Sequence, residues 1–232
     1  MNRPSVDDIR RMPLYSAAEA ARFLHLPVST VRAWAFGQGY PVKNERRHSP
    51  PVISTADLKA KRLSFLNLVE LLVLAAIRRQ HHVPLPQVRR AVDFLRKRFP
   101  SPFPLADHQF QTDGMHLFVE KFGELINLSR EGQVAIKALI QQYLRLVERD
   151  SSGVPFKLHL PRAAASAQAM AAVVIDPRYG FGRPVLDGRG IRAEVIVERF
   201  QAGESIASLA ADYSLGVDAV EDVLRSHQSL AA

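Results

Sequence analysis

The side chains able to do chemistry are few, and most are poorly grouped. No cysteine occurs in the 232 residues, which excludes disulfides, thiolate zinc sites and cysteine catalysis. His81 and His82 have no carboxylate at ligand spacing, and Asp107, His108, Asp113 and His116 form no metal or acid–base pattern. The run Gly180-Phe181-Gly182-Arg183-Pro184 lacks both the lysine and the spacing of a phosphate loop. No enzyme, metal or cofactor is expected. What remains is cationic: Arg32 in a short helix, then Lys43, Arg46 and Arg47 a few residues later. Arginine can donate two hydrogen bonds to guanine in a DNA major groove, whereas cations on a ribbon suit phosphates, which position without specifying. Thr30 and Arg32 are expected on the face away from Val31 and Trp34, as base readers, with Ser29 capping their helix. Gln38 and Tyr40 would add backbone contacts.

The charge distribution agrees with a polyanion partner. The chain carries a formal +8. Residues 1–100 hold 18 Lys/Arg against 7 Asp/Glu, residues 101–168 hold 7 against 7, and residues 169–232 hold 6 against 9. A basic first third beside a mildly acidic end suggests that one part meets nucleic acid. The alternative is a solvated basic face with no partner. The N-terminal MNRPSVDDIRRMP lacks an apolar signal core, and the longest apolar stretch, Phe65 to Ile77, is broken by Asn67 and Glu70. A soluble, cytoplasmic chain with no membrane partner is expected.

These residues need elements to position them. Ser16-Ala17-Ala18-Glu19 has capping-box spacing and opens a helix with Ala17, Ala20, Ala21 and Leu24 on one face. After His25-Leu26-Pro27-Val28, a second helix runs from Thr30 to Phe36, and Ala21, His25, Val31 and Trp34 fall at helix-turn-helix spacing. His25 stands where glycine is favoured. Gly37 to Pro41 breaks the helix, and the basic Val42–His48 stretch reads as a β-ribbon wing. Ser64–Gln80 and Leu85–Phe99 read as two further helices, with the arginines of the second, Arg89, Arg90 and Arg96, on solvated surface. Phe99 to Pro104, rich in proline, closes a first domain, 1–99.

A middle segment, 100–168, reads as α+β. Strands are expected at His108–Thr112, Leu117–Glu120 and Leu125–Leu128, with a hairpin turn at Lys121–Glu124, then a helix from Gly132 to Arg149 and a strand from Val154 to Leu160. It suits dimerisation or packing. Pro161–Gln168 reads as a linker or a short alanine-rich helix. The last segment, 169–232, has a glycine-punctuated ribbon, Phe181–Ile191, a helix over Val195–Phe200, and a second helix-turn-helix. There Ala210, Ser214, Val220 and Val223 repeat the first motif shifted by 189 residues. Asp218, Glu221 and Asp222 replace Ser29, Arg32 and Ala33, so this copy should repel phosphates and either bind protein or simply fold.

The order helix, turn, helix, wing, two helices over residues 12–99 resembles the DNA-binding domain of the MerR family. The Gly-Arg-Pro-Val-x-x-Gly-x-Gly-Ile ribbon followed by Ala-Gly-Glu-Ser-Ile-x-x-Leu-Ala-x-Asp-Tyr is similar to a small bacterial family of unknown function, often found in toxin–antitoxin operons. Arg189-Gly190 departs from its usual Thr-Arg before the isoleucine. The whole chain resembles the larger VapB-type antitoxins. That resemblance implies operator DNA, a homodimer, and a PIN-domain ribonuclease toxin (VapC-type) as partners, with Phe200, Tyr213, Glu221 and Asp222 as candidate toxin contacts. The rival expectation is a stand-alone MerR-like regulator whose middle segment binds a ligand. The expected fold class is mainly α: a winged helix-turn-helix, a small α+β middle, and a C-terminal helix-turn-helix with a short ribbon.

Overall fold

The computed structural model describes residues 6–42, 45–80, 85–161 and 173–231. The expected linker beyond Pro161, the histidines at 81 and 82, and Lys43 lie outside the described residues. None of the helices described is long and apolar enough to cross a membrane.

After α1 (Val6–Arg11) come α2 (Ala17–Leu24) and α3 (Val28–Phe36), then a two-stranded antiparallel ribbon, β1 (Gln38–Val42) and β2 (Glu45–Ser49). The capping box at α2 forms as its sequence requires: Ser16 Oγ accepts from the Glu19 amide at 3.2 Å, and Glu19 accepts from the Ser16 amide at 2.8 Å. Two long helices follow, α4 (Phe65–Gln80) and α5 (Leu85–Arg98).

Residues 63–77 are buried without interruption, so α4 forms the centre of the core. It packs against α1 and α2 and, from later in the chain, against α7 (Arg130–Leu144) and β4 (Pro155–His159). Asn67, fully buried, makes this helix more than an apolar rod. Its side-chain oxygen accepts from the Ala56 amide (3.1 Å) and the Ser64 amide (3.0 Å), and its Nδ2 donates to Ser54 O at 2.7 Å. The loop returning from the ribbon is thereby fixed to α4.

The middle segment corrects the sequence expectation. No strands form at 108–112, 117–120 or 125–128. A π-helical turn (Phe110–Gly114) runs into one helix, α6 (Met115–Ile126), followed by α7 (Arg130–Leu144). Met115, Phe118, Val119 and Phe122 recur at helical spacing and are buried, and the Phe118 and Phe122 rings stack at 5.8 Å. Gly123, expected in a turn, lies inside α6, where a Cβ would come within 2.6 Å of the Gln133 side chain of α7. The helix expected to reach Arg149 stops at Leu144, and Val147–Arg149 is instead β3.

An antiparallel sheet of order β3-β4-β5-β6 then joins the middle segment to the C-terminal one: β3 and β4 (Pro155–His159) precede residue 161, whereas β5 (Val173–Ile175) and β6 (Val185–Leu186) follow it. α8 (Ala193–Gln201), α9 (Ile206–Asp212) and α10 (Val217–Ala231) complete the chain. A single hydrophobic cluster runs from Tyr15 to Leu224, through all three segments.

Glu70, one turn after Asn67, is fully buried. Burial pushes its carboxyl up from the ordinary 4.5 to about 8, with nearby Arg96 and the Leu105 amide only partly opposing the shift. The folded chain therefore holds this proton at a pH where the unfolded chain has released it. The stabilisation is complete below the unfolded value and is lost as pH rises through about 8. The thermal midpoint should fall as pH is raised from about 6 to about 9, and Glu70→Gln should flatten that fall. Parallel melting curves of the two proteins across the range would contradict the assignment.

Candidate nucleic-acid interface

The α2–α3 pair is held by small and apolar groups on the inner face. Ala21 is buried, which lets α3 approach, and Val31 and Trp34 fill the space between the helices and the core. The turn is closed by the Leu26 amide donating to Ala21 O at 2.9 Å. His25 takes the left-handed conformation, φ 50°, that glycine usually supplies. Its Nε2 meets Pro161 O at 2.8 Å, at the end of β4. The residue that departs from the motif thus ties the turn to the sheet.

Two expectations about α3 are corrected. Pro27, not Ser29, occupies the N-cap, and no side chain caps this helix. Thr30 is buried at 9% relative exposure, so it does not share Arg32's outward face. Thr30, Val31, Ala33, Trp34 and Ala35 are all enclosed, because the returning loop after the wing also packs on α3: the Val52 amide donates to Trp34 O at 2.7 Å. Ser29 and Arg32 remain exposed at i, i+3 spacing, on one face. Arg32 has no hydrogen-bond or ion-pair partner among the described residues.

In the ribbon, Tyr40 stands opposite Arg47 and Gln38 opposite Ser49, so Gln38, Tyr40 and Arg47 share one face. All three are exposed, and among the described residues Arg47 forms an ion pair only with Glu45, at 3.9 Å. Arg46 pairs with Pro41 in the register; its side chain lies outside the described residues. The ribbon starts at Gly37, with φ 80°, where a Cβ would stand 2.4 Å from Ser49 O. Sequence reasoning missed what anchors the returning strand at the ribbon's base. Arg89 donates to Ser49 Oγ and Pro50 O, both at 2.7 Å, and Arg96 donates to Val52 O at 2.8 Å. These α5 arginines were expected on solvated surface, and nothing in a local pattern says that a guanidinium will reach a carbonyl some 40 residues away.

The second motif repeats the N-cap and the turn of the first. Ser205 caps α9 through the Ser208 amide (3.1 Å), the Leu215 amide closes the turn on Ala210 O (2.8 Å), and Ser214 has φ 52°. Val220 and Val223 are buried as Val31 and Trp34 are. The outward residues differ: Asp218 is exposed, while Glu221 and Asp222 are half-buried and pair with Arg225. Of the other expected partner contacts, Phe200 is 37% exposed, whereas Tyr213 is packed partly into the core beneath the Arg199 guanidinium, 5.2 Å from its ring centroid. Arg199 itself is held by Glu204 and Asp212.

A polar cluster invisible to local spacing forms on the sheet. Ligand-type atoms of Glu148, His159 and Asp187 lie within 4.8 Å of one another. The Lys157 ammonium already occupies the cluster, 3.2 Å from Glu148 and 2.8 Å from Asp187, and supplies the positive charge a metal would bring.

Fold and exposed cations together define a DNA-binding protein of the winged helix-turn-helix class, and comparison agrees. Residues 13–92 match a family model described as "Putative DNA-binding HTH domain", and residues 173–225 match one described as "Protein of unknown function (DUF433)". The chain is 32% identical to "Putative antitoxin VapB45" of Mycobacterium tuberculosis, covering 92% of this chain and 93% of that one, and it belongs to the same family. It is also 27% identical to "Uncharacterized protein Rv2308" of the same organism, covering 95% and 92% of the two chains. The crystal structure of Rv2018 from Mycobacterium tuberculosis superposes with a TM-score of 0.66 at 27% identity, over 92% of this chain and 98% of that one.

Two outcomes follow for binding. Arg32→Ala should relax base preference, costing about 1–3 kcal/mol at one base pair and little on random duplex; equal losses on both duplexes would remove Arg32 as a reader. Replacing Arg46 and Arg47 by alanine together should weaken binding to every duplex and reduce the salt slope by roughly one to two units. An unchanged slope across a salt series would show that the ribbon does not meet phosphates.

Proposed function

We propose that this chain is the antitoxin of a type II toxin–antitoxin pair acting in the cytoplasm. As a homodimer it binds operator DNA through α3 and the β1–β2 ribbon, and with its C-terminal part it neutralises a PIN-domain ribonuclease of the VapC type. The observation that carries this reading is the contrast between the two helix-turn-helix copies. Their backbone bonds agree at a shift of 189 residues, yet Arg32 of the first is matched by Glu221 of the second. A carboxylate facing phosphates opposes binding, and a carboxylate facing a basic protein surface favours it. The likeness to VapB45, a protein named as an antitoxin, supports the same assignment.

The domains proposed from sequence, 1–99, 100–168 and 169–232, share one core, and the last two also share one sheet. The division of labour is therefore tested in the full chain. Glu221→Lys with Asp222→Lys should abolish or sharply weaken neutralisation of the ribonuclease encoded beside this gene, while leaving the shift of the upstream operator fragment intact. Arg32→Ala should do the reverse. If the Glu221/Asp222 variant neutralises fully, or loses operator binding in step with neutralisation, the assignment of partners to the two copies is wrong.

A further inference from the structure

Phe181 combines two unfavourable features that nothing among the described residues offsets. Its side chain is 91% exposed, and its backbone is left-handed, φ 54° and ψ 36°. The loop leaves it no freedom to retreat. Tyr15 donates from its hydroxyl to Gly182 O at 2.9 Å, and a Cβ on Gly182 would stand 2.4 Å from that same hydroxyl. The Gly182 amide donates to Tyr179 O and the Arg183 amide to Gly180 O, both at 3.0 Å, while the Arg183 side chain pairs with Glu19. An exposed aromatic on a braced, strained loop is a residue shaped for contact.

Beside it opens a cleft of about 310 Å³. Val174, Val185, Leu186 and Tyr179 line it together with charged residues of both signs, among them Arg178, Arg189 and Asp187. Arg178 already stacks on aromatic rings, 4.4 Å from the Phe156 centroid and 5.7 Å from that of Tyr179. Apolar side chains beside guanidinium groups suit an aromatic ring.

We propose that Phe181 of one copy seats in this cleft of a second copy, and reciprocally. The knob stands two residues from Tyr179 of the cleft, so a single twofold contact satisfies both, as an isologous interface requires. DNA is the less favoured occupant, because Arg178 is matched with Asp176, Arg183 with Glu19 and Arg192 with Glu194, which leaves Arg189, donating to Tyr213 O at 3.1 Å, as the cleft's one arginine without a carboxylate partner among the described residues. The proposal names the surface of the homodimer in the reading above. It can fail independently of that reading, since its test needs neither operator nor toxin.

The test is sedimentation of the full-length protein across a concentration series. The native chain should dimerise, and Phe181→Ala should weaken association by roughly tenfold or more. Phe181→Gly should weaken it equally while keeping or raising the thermal midpoint, because glycine relieves the backbone strain. The chain has no cysteine of its own, so single-cysteine variants are unambiguous. Mixed Phe181→Cys and Arg189→Cys chains should form a mixed disulfide dimer on mild oxidation. A monomeric native chain, association unchanged in both Phe181 variants, or no mixed disulfide would overturn the proposal. So would Phe181 variants that dimerise normally but lose operator or toxin binding, which would assign the knob to that other partner.

Discussion

Because residues 63–77 are buried without a break, α4 has no face to give to water, and everything around it is arranged to enclose it. Covering elements come from both sides of the chain: α1 and α2 precede it, α7 and β4 follow. Segments that would read as separate domains are therefore parts of one enclosure, and the proline-rich run near residue 100 turns the chain without dividing the core. The polar members of α4 matter as much as the apolar ones. Asn67 fixes the loop that returns from the ribbon, and that loop packs on α3 through Val52. The height at which Arg32 and the ribbon stand above the core is set from inside, by a buried amide.

The two helix-turn-helix copies separate what packing specifies from what binding specifies. Residues at the shared spacing, Ala21 with Ala210 and Val31 with Val220, face inward and are buried in both. The residues that differ face solvent or the margin of the core. A spacing rule for this motif reports on how two helices pack, which both copies satisfy. It is silent on partner, which the outward charges decide.

Much of this was legible in advance where the signal is local. The capping box at Ser16, the punctuation at Gly37, the two long helices and the repeat at 189 residues all depend on neighbours within a few turns. The middle segment misled because short windows such as Leu117–Glu120 fit a strand as well as a helix. The longer run Met115, Phe118, Val119 and Phe122 recurs at helical spacing, and a window that spans it decides for the helix. Thr30 was misplaced because the spacing of two helices alone would leave it outside, whereas the packed fold buries it. The Arg89 and Arg96 clamps and the Glu148–Lys157–Asp187 cluster join residues tens of positions apart, so only the fold reveals them.

The dependence of the DNA-facing end on the later segments is written in long-range bonds. Arg10, almost fully buried, pairs with Asp150 at 2.7 Å; His25 meets Pro161 at 2.8 Å; and Tyr15, also buried, donates to Gly182 at 2.9 Å. Removing β5, β6 and the loop between them would take the acceptor from Tyr15 and would turn β4 from an inner strand into an edge. The winged motif is therefore not a module resting beside the C-terminal segment, since that segment supplies the acceptor for Tyr15 and packs α10 against the motif's first helix, α2. Any partner that grips that segment holds part of the support on which Arg32 is presented.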